Sequence, residues 1–135
     1  MVVIFMLKRV KQDAMLFSVG GIAYGIIEIL WRHRTHWTMI ITGGICFLAL
    51  FRIFLKFDKI KTIFKCLIGS GVITTVELIV GCIVNLQFKM NVWDYSSMPL
   101  NLWGQICPLY SILWGILTIP ILFVCNKMQK ALKII

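Results

Sequence analysis

The sequence predicts an all-α fold: an integral membrane, antiparallel four-helix bundle. Three observations carry that expectation. The 135 residues are 60% hydrophobic and 14% charged, with a mean hydropathy of +0.93, whereas a soluble chain needs a far more polar surface. Four apolar runs are each long enough to cross a bilayer, which takes about 17 to 25 residues as a helix. The charges are segregated into short clusters between those runs. Backbone polar groups in lipid must be satisfied within the segment, so the runs are expected as helices. The length leaves room for a single transmembrane domain.

The first span is expected at residues 14–31, interrupted by Glu28. The second covers 37–57, with Arg52 near its end. The third covers 63–88, with Lys65 at its start and Glu77 inside. The fourth, 102–125, carries no charge and contains Pro108, which is expected to kink it. The connections at 32–36 and 58–62 are short, which forces neighbouring spans antiparallel. The third connection, KMNVWDYSSMPLN at 89–101, is longer and is the loop with most room for chemistry.

Orientation follows from the basic residues. The N-terminus, second connection and C-terminus share one side and hold Lys8, Arg9, Lys11, Arg52, Lys56, Lys59, Lys61, Lys65, Lys127, Lys130 and Lys133. The other side holds Arg32, Arg34 and Lys89. Cytoplasmic flanks carry the excess of Lys and Arg, so both termini are expected inside a multi-pass protein of the cell membrane. The start, MVVIFMLKRVK, sets apolar residues before basic ones, the reverse of a signal peptide, and no small-residue cleavage site follows. The first span is therefore expected to serve as its own targeting signal.

The net charge of +9 is absorbed by these flanks; no basic stripe interleaved with aromatics and no nucleic-acid motif appears, which argues against nucleic-acid binding. The five cysteines are scattered without a CxxC pair and read as small hydrophobes, with neither a disulfide framework nor a metal site. There is no Ser-His-Asp ordering, HExxH or Walker motif. No catalytic residue, metal or cofactor is expected, and the protein reads as a non-enzyme.

The informative positions are those that do not belong in lipid. A charge at the bilayer centre costs about 2.5–3.5 kcal/mol on insertion scales, so it turns toward protein or water. Glu28 stands four residues before Arg32, a spacing that allows a structural ion pair; the functional reading is a cation or proton site. Glu77 lies deeper, on a stripe with Ser70, Thr74, Gly81 and Asn85 at helical spacing. That stripe reads either as glue between helices or as a solute pathway. Gly21 and Gly25 form a GxxxG pair for close packing, and the fourth span aligns Gln105, Pro108, Ser111, Gly115 and Thr118. Glu28, Glu77, Asn85 and Gln105 thus form the candidate polar cluster, with Gly21, Gly25, Gly81 and Gly115 as packing positions. Arg34, His36, Trp93, Asp94, Tyr95 and Asn101 are the candidates in the outer connections. Of these His36 reads first as an interfacial hydrogen-bonding residue, and Trp31, Trp37, Trp93 and Trp103 as an aromatic belt. A faint repeat places one carboxylate in each outward-running span, near Tyr24–Glu28 and Thr74–Glu77.

Two stretches carry a family resemblance. GIIEILWRHRTHW, beginning at Gly25 and continuing to Gly43 and Gly44, is one; VELIVGCIVN, from Val76 to Asn85, through NVWDYS to PLNLWGQIC, ending at Cys107, is the other. Together they resemble the putative ABC-transporter type IV membrane proteins, small permease-labelled proteins of Firmicutes and their phages. The resemblance implies membership of a permease-like family, with any ATPase on a separate chain and any pore built by an oligomer.

The expected function is a small transporter- or permease-like membrane subunit. Its polar cluster would open outward, Glu77 binding a cation or proton and Arg34 or His36 acting as a gate. The expected partners are the lipid bilayer, further copies of the chain as a homo-oligomer, or a separate ATPase or membrane partner. The alternatives are a non-transporting partner or assembly module and a holin-like phage membrane protein.

Overall fold

The structure, a computed structural model, describes residues 1–132; Lys133, one of the basic residues on the C-terminal flank, lies outside them. Four long apolar helices pack as a bundle, with no strand among the described residues. They are α1 (Val2–Arg32), α2 (Trp37–Lys56), α3 (Thr62–Gly81) and α4 (Pro108–Ala131), all long and apolar enough to cross a membrane. A six-residue π-helical stretch, Cys82–Gln87, prolongs α3.

Two boundaries differ from the sequence expectation. α1 begins at Val2 rather than near residue 14, because no glycine or proline interrupts MVVIFMLKRVKQD and Asp13 pairs with Arg52 instead of capping a helix. At 31 residues the helix is about 46 Å long, against a hydrocarbon thickness of about 30 Å. Its first turns run beyond the bundle with their side chains exposed. α4 begins at Pro108 rather than residue 102. Residues 102–107 are apolar enough to extend a span, yet they fold as a turn. Leu102 pairs with Ile106 as an isolated bridge, and Gly104 takes the left-handed conformation at φ 71°. Pro108 therefore starts α4 instead of kinking it, at a position where no amide hydrogen is needed. The proline inside α4 is Pro120.

α2 is the centre of the bundle. It packs along α1 on one side and meets α3 and, more lightly, α4 on the other, while α3 and α4 pack along each other. The α1–α2 seam is built on glycines at van der Waals limits: a Cβ on Gly21 would stand 2.6 Å from the Ile40 carbonyl oxygen, and one on Gly44 2.8 Å from that of Phe17. Gly25 faces the Ile40 side chain in the same seam. The α3–α4 seam is instead polar. Ser70 donates to the Ser111 carbonyl at 2.7 Å, and the Thr74 and Ser111 hydroxyls lie 2.8 Å apart. Gly115 passes the Cys66 carbonyl and Ser70 at ordinary contact distance. Near the chain termini, Leu16, Phe47, Phe51 and Cys125 form one apolar cluster, and Asp13 pairs with Arg52 across α1 and α2.

These seams give a direct stability test. Gly21→Ala is expected to cost about 1–3 kcal/mol, because backbone and not a side-chain tip must move. Gly71→Ala meets nothing within 4 Å and is expected to be neutral or to stabilise by up to about 1 kcal/mol through helix propensity. Thermal unfolding of both variants in detergent, followed by circular dichroism, checks the contrast.

Candidate functional site

The functional candidates gather at the end of the bundle that carries the α1–α2 connection and residues 88–107. α1 ends where His33 turns left-handed at φ 61°, its amide donating to the Ile29 carbonyl. His36 then caps α2: the Thr38 amide donates to its Nδ1 at 3.3 Å, and the Thr38 hydroxyl lies 2.7 Å from the same nitrogen. Arg34 between them is exposed. Neither Arg34 nor His36 lines the cavities described below.

The loop of residues 88–107 folds back over the helix ends. Lys89, Asn91, Leu100 and Trp103 all adopt left-handed backbone conformations, with φ between 50° and 57°, each carrying strain that surrounding contacts must hold. Those contacts are specific. Asn85, in the π-helical stretch, accepts from the Val92 amide at 2.7 Å and donates to the Gln105 side-chain oxygen at 2.8 Å. The Trp93 indole donates to the Gln105 carbonyl at 3.0 Å. Asn101 donates to the Ser96 and Met98 carbonyls and accepts from the Gly104 amide. Asp94 accepts from the Ser96 amide at 2.9 Å, and hydrogen bonds from the Ser96 hydroxyl and amide hold its carboxyl below the usual range. Gly81 lets this clamp close, since a Cβ there would stand 2.6 Å from the Gln105 side-chain oxygen.

Glu28 is buried and forms the i, i+4 pair with Arg32 at 2.5 Å; Arg32 also donates to the Val92 carbonyl at 3.1 Å. α1 is thereby tied to the loop. Glu77, 4% exposed, has a different environment. No cation among the described residues lies within ion-pair distance of it, and its hydrogen bond from the Tyr95 hydroxyl is long, at 3.4 Å. Tyr95 swings in from the loop to stack on Tyr110, with ring centroids 4.7 Å apart. Trp114 meets Tyr24 edge-on at 6.1 Å. Its indole Nε1 is buried, faces the Glu77 carboxyl, and makes no hydrogen bond.

Two adjoining cavities occupy the space where α1 and α4 do not close on each other. One, of about 180 Å³, reaches from Tyr24 and Glu77 toward Pro120 and Val124; the other, of about 190 Å³, reaches from Glu28 and Arg32 to Trp93 and Tyr95. They share Tyr24, Ile27, Met39, Trp114 and Leu117 as their common wall.

The four residues of the candidate polar cluster thus fall into three environments. Asn85 and Gln105 bond to each other and clamp the loop; Gln105 lies in the turn before α4, not on a helical stripe. Glu28 is an ion-pair partner. Glu77 lines a cavity. The aromatic wall of Tyr24, Tyr110 and Trp114 went unnoticed in the sequence. Its trace there is weak: Tyr110 and Trp114 are four apart, as are Tyr24 and Glu28.

A four-helix bundle of membrane-spanning length, with carboxylates buried between its helices, defines a multi-pass membrane protein with an internal polar site. The chain belongs to the family described as putative ABC-transporter type IV, which matches it over residues 1–135. No curated protein and no solved structure matches the chain.

Proposed function

We propose that the chain is a small transporter- or permease-like subunit of the cell membrane, in which Glu77 takes up a cation or proton from the outer side. The observation that supports this reading best is the isolation of Glu77: a buried carboxylate beside a cavity, with no cationic partner among the described residues. Intramembrane carboxylates without a structural partner mark ion and solute pathways more often than packing sites. The lysine-rich flanks support an orientation with the termini in the cytoplasm and the 88–107 loop facing outward. In this reading the loop covers the cavity from outside, and the family description supports transport. Residues 1–135 hold no Walker motif, so they supply no ATPase of their own. The reading includes no catalytic step.

A second reading, a non-transporting partner module, is favoured by one observation. The first turns of α1 expose Val2, Val3, Ile4 and Phe5 beyond the bundle, a surface suited to another membrane chain.

Cation-driven dye and proton fluxes in proteoliposomes separate the two. Glu77→Gln is expected to reduce flux by about tenfold or more, since it removes the charge that makes the site. Undiminished flux in a variant that folds and inserts normally rejects the Glu77 pathway, and absence of flux in the wild type leaves the partner module as the reading.

A further inference from the structure

We infer that the paired cavities bind a lipophilic organic cation of quaternary-ammonium type, reached through the gap between α1 and α4, with Glu77 as counter-charge and Tyr24, Tyr95 and Trp114 as aromatic walls. The inference rests on Glu77 being the functional carboxylate, and it deepens that reading by naming the ligand class.

Four observations carry it. The charge of Glu28 is already balanced by Arg32 at 2.5 Å, so Glu77 is the carboxylate of this region left without an ion pair among the described residues. A lone buried carboxylate is costly, and a cation beside it removes that cost. The cavities beside Glu77 are otherwise lined mainly by aromatic rings and aliphatic side chains: Tyr24 and Trp114 meet edge-on at 6.1 Å, and Tyr95 stacks on Tyr110. Ring faces attract cations, and aromatic enclosures recognise quaternary ammonium groups.

The same walls disfavour a bare metal ion. Hard inorganic cations require about six oxygen ligands, whereas the polar atoms near Glu77 are few. The Thr42 hydroxyl, which donates to the Thr38 carbonyl, offers a single oxygen, and the Trp114 Nε1 is a donor that cannot ligate a cation. That orphan N–H would stay beside the carboxylate, where it can tighten onto Glu77 once the site is filled.

The volumes suit a ligand with a small cationic head and an apolar body. Each cavity, at about 180 and 190 Å³, has room for an aromatic ring or a trimethylammonium group, and the two adjoin at Tyr24 and Trp114. Entry between α1 and α4 matches the apolar character of such a ligand, which concentrates in the bilayer rather than in water.

The test uses benzyltrimethylammonium and its uncharged carbon isostere, neopentylbenzene, titrated into the purified full chain in non-ionic detergent. Binding is read by tryptophan fluorescence and by calorimetry. The cation is expected to bind saturably, with affinity falling about tenfold or more in Glu77→Gln and severalfold in Trp114→Phe, as loss of a buried charge and of the best ring face requires. The isostere is expected to bind more weakly and with no dependence on Glu77. Equal binding of both compounds, no binding of either, or unchanged cation affinity in a folded Glu77→Gln overturns the inference. Should Glu77→Gln not fold, Trp114→Phe decides, and unchanged affinity there overturns it. Saturable binding without flux in proteoliposomes counts against transport while leaving the ligand class standing. Inorganic cation flux that depends on Glu77, with no benzyltrimethylammonium binding, overturns the ligand class alone.

Discussion

Arg32→Ala is expected to lower stability by about 3–5 kcal/mol, the cost of removing one partner from a buried ion pair. The physical reason lies in the asymmetry of the pair. The Glu28 side chain is 9% exposed and Arg32 23%, so loss of the guanidinium strands a carboxylate that cannot reach water. The same change frees the Val92 carbonyl from its contact with Arg32 and loosens the loop from α1. Glu28→Gln should cost less, because Arg32 keeps the Val92 carbonyl and partial access to solvent. The double variant should then recover much of the loss, since its buried carboxylate is gone. Chemical unfolding in detergent across this four-member cycle measures the coupling directly. An Arg32→Ala variant no less stable than Arg34→Ala, whose side chain is exposed, would show that the pair contributes nothing.

The second large effect is expected at Asn85. Asn85→Leu keeps a similar volume but leaves the Val92 amide without its acceptor and the Gln105 side-chain oxygen without its donor. Two stranded polar groups at about 1–3 kcal/mol each put the cost at about 2–6 kcal/mol. The damage should also be local. The left-handed residues at 89, 91, 100 and 103 are held in place by this clamp, so the loop should open while the four helices persist. Limited proteolysis reports it: cleavage within 88–107 should rise about tenfold or more, as an opening free energy reduced by at least 1.4 kcal/mol requires, with little change in helical circular dichroism. Uniform loss of helix would instead assign Asn85 to the core of the bundle.

The four helices were legible because lipid imposes one rule on every backbone group, and hydropathy reports that rule well. The pair of Glu28 with Arg32 was legible because it depends on local helical spacing alone. The small and hydroxyl-bearing stripe of α3 was legible as far as Thr74, whose hydroxyl meets Ser111 as a packing contact. Beyond Glu77, Gly81 and Asn85 do share a face, both against Gln105; what the sequence did not show is the change to π at Cys82–Gln87 and a Gln105 held in a turn. The start of α4 was misplaced because Leu102, Trp103, Ile106 and Cys107 are apolar in composition while their backbone forms a turn. The aromatic wall around Glu77 left only the weak trace of Tyr110 and Trp114 four apart. Tyr24, Tyr95 and Trp114 come from two helices and a loop, and no spacing along the chain announces that these three meet.

The π-helical stretch has a consequence for how the chain tolerates insertions and deletions. A π turn takes up one residue more than an α turn, so Cys82–Gln87 is the place where α3 accommodates a single extra residue. Removing one residue there should let the helix revert to α while the residues on either side keep their faces, whereas a deletion in Thr62–Gly81 would rotate everything after it by about 100°. In that second case Asn85 would leave Gln105, and the tryptophan and tyrosine of the loop would swing off the mouth of the bundle. Single-residue gaps among relatives should therefore fall in the π-helical segment rather than in the α-helical part before it. The length of α3, more than the identity of any one side chain in the loop, decides which way the loop faces.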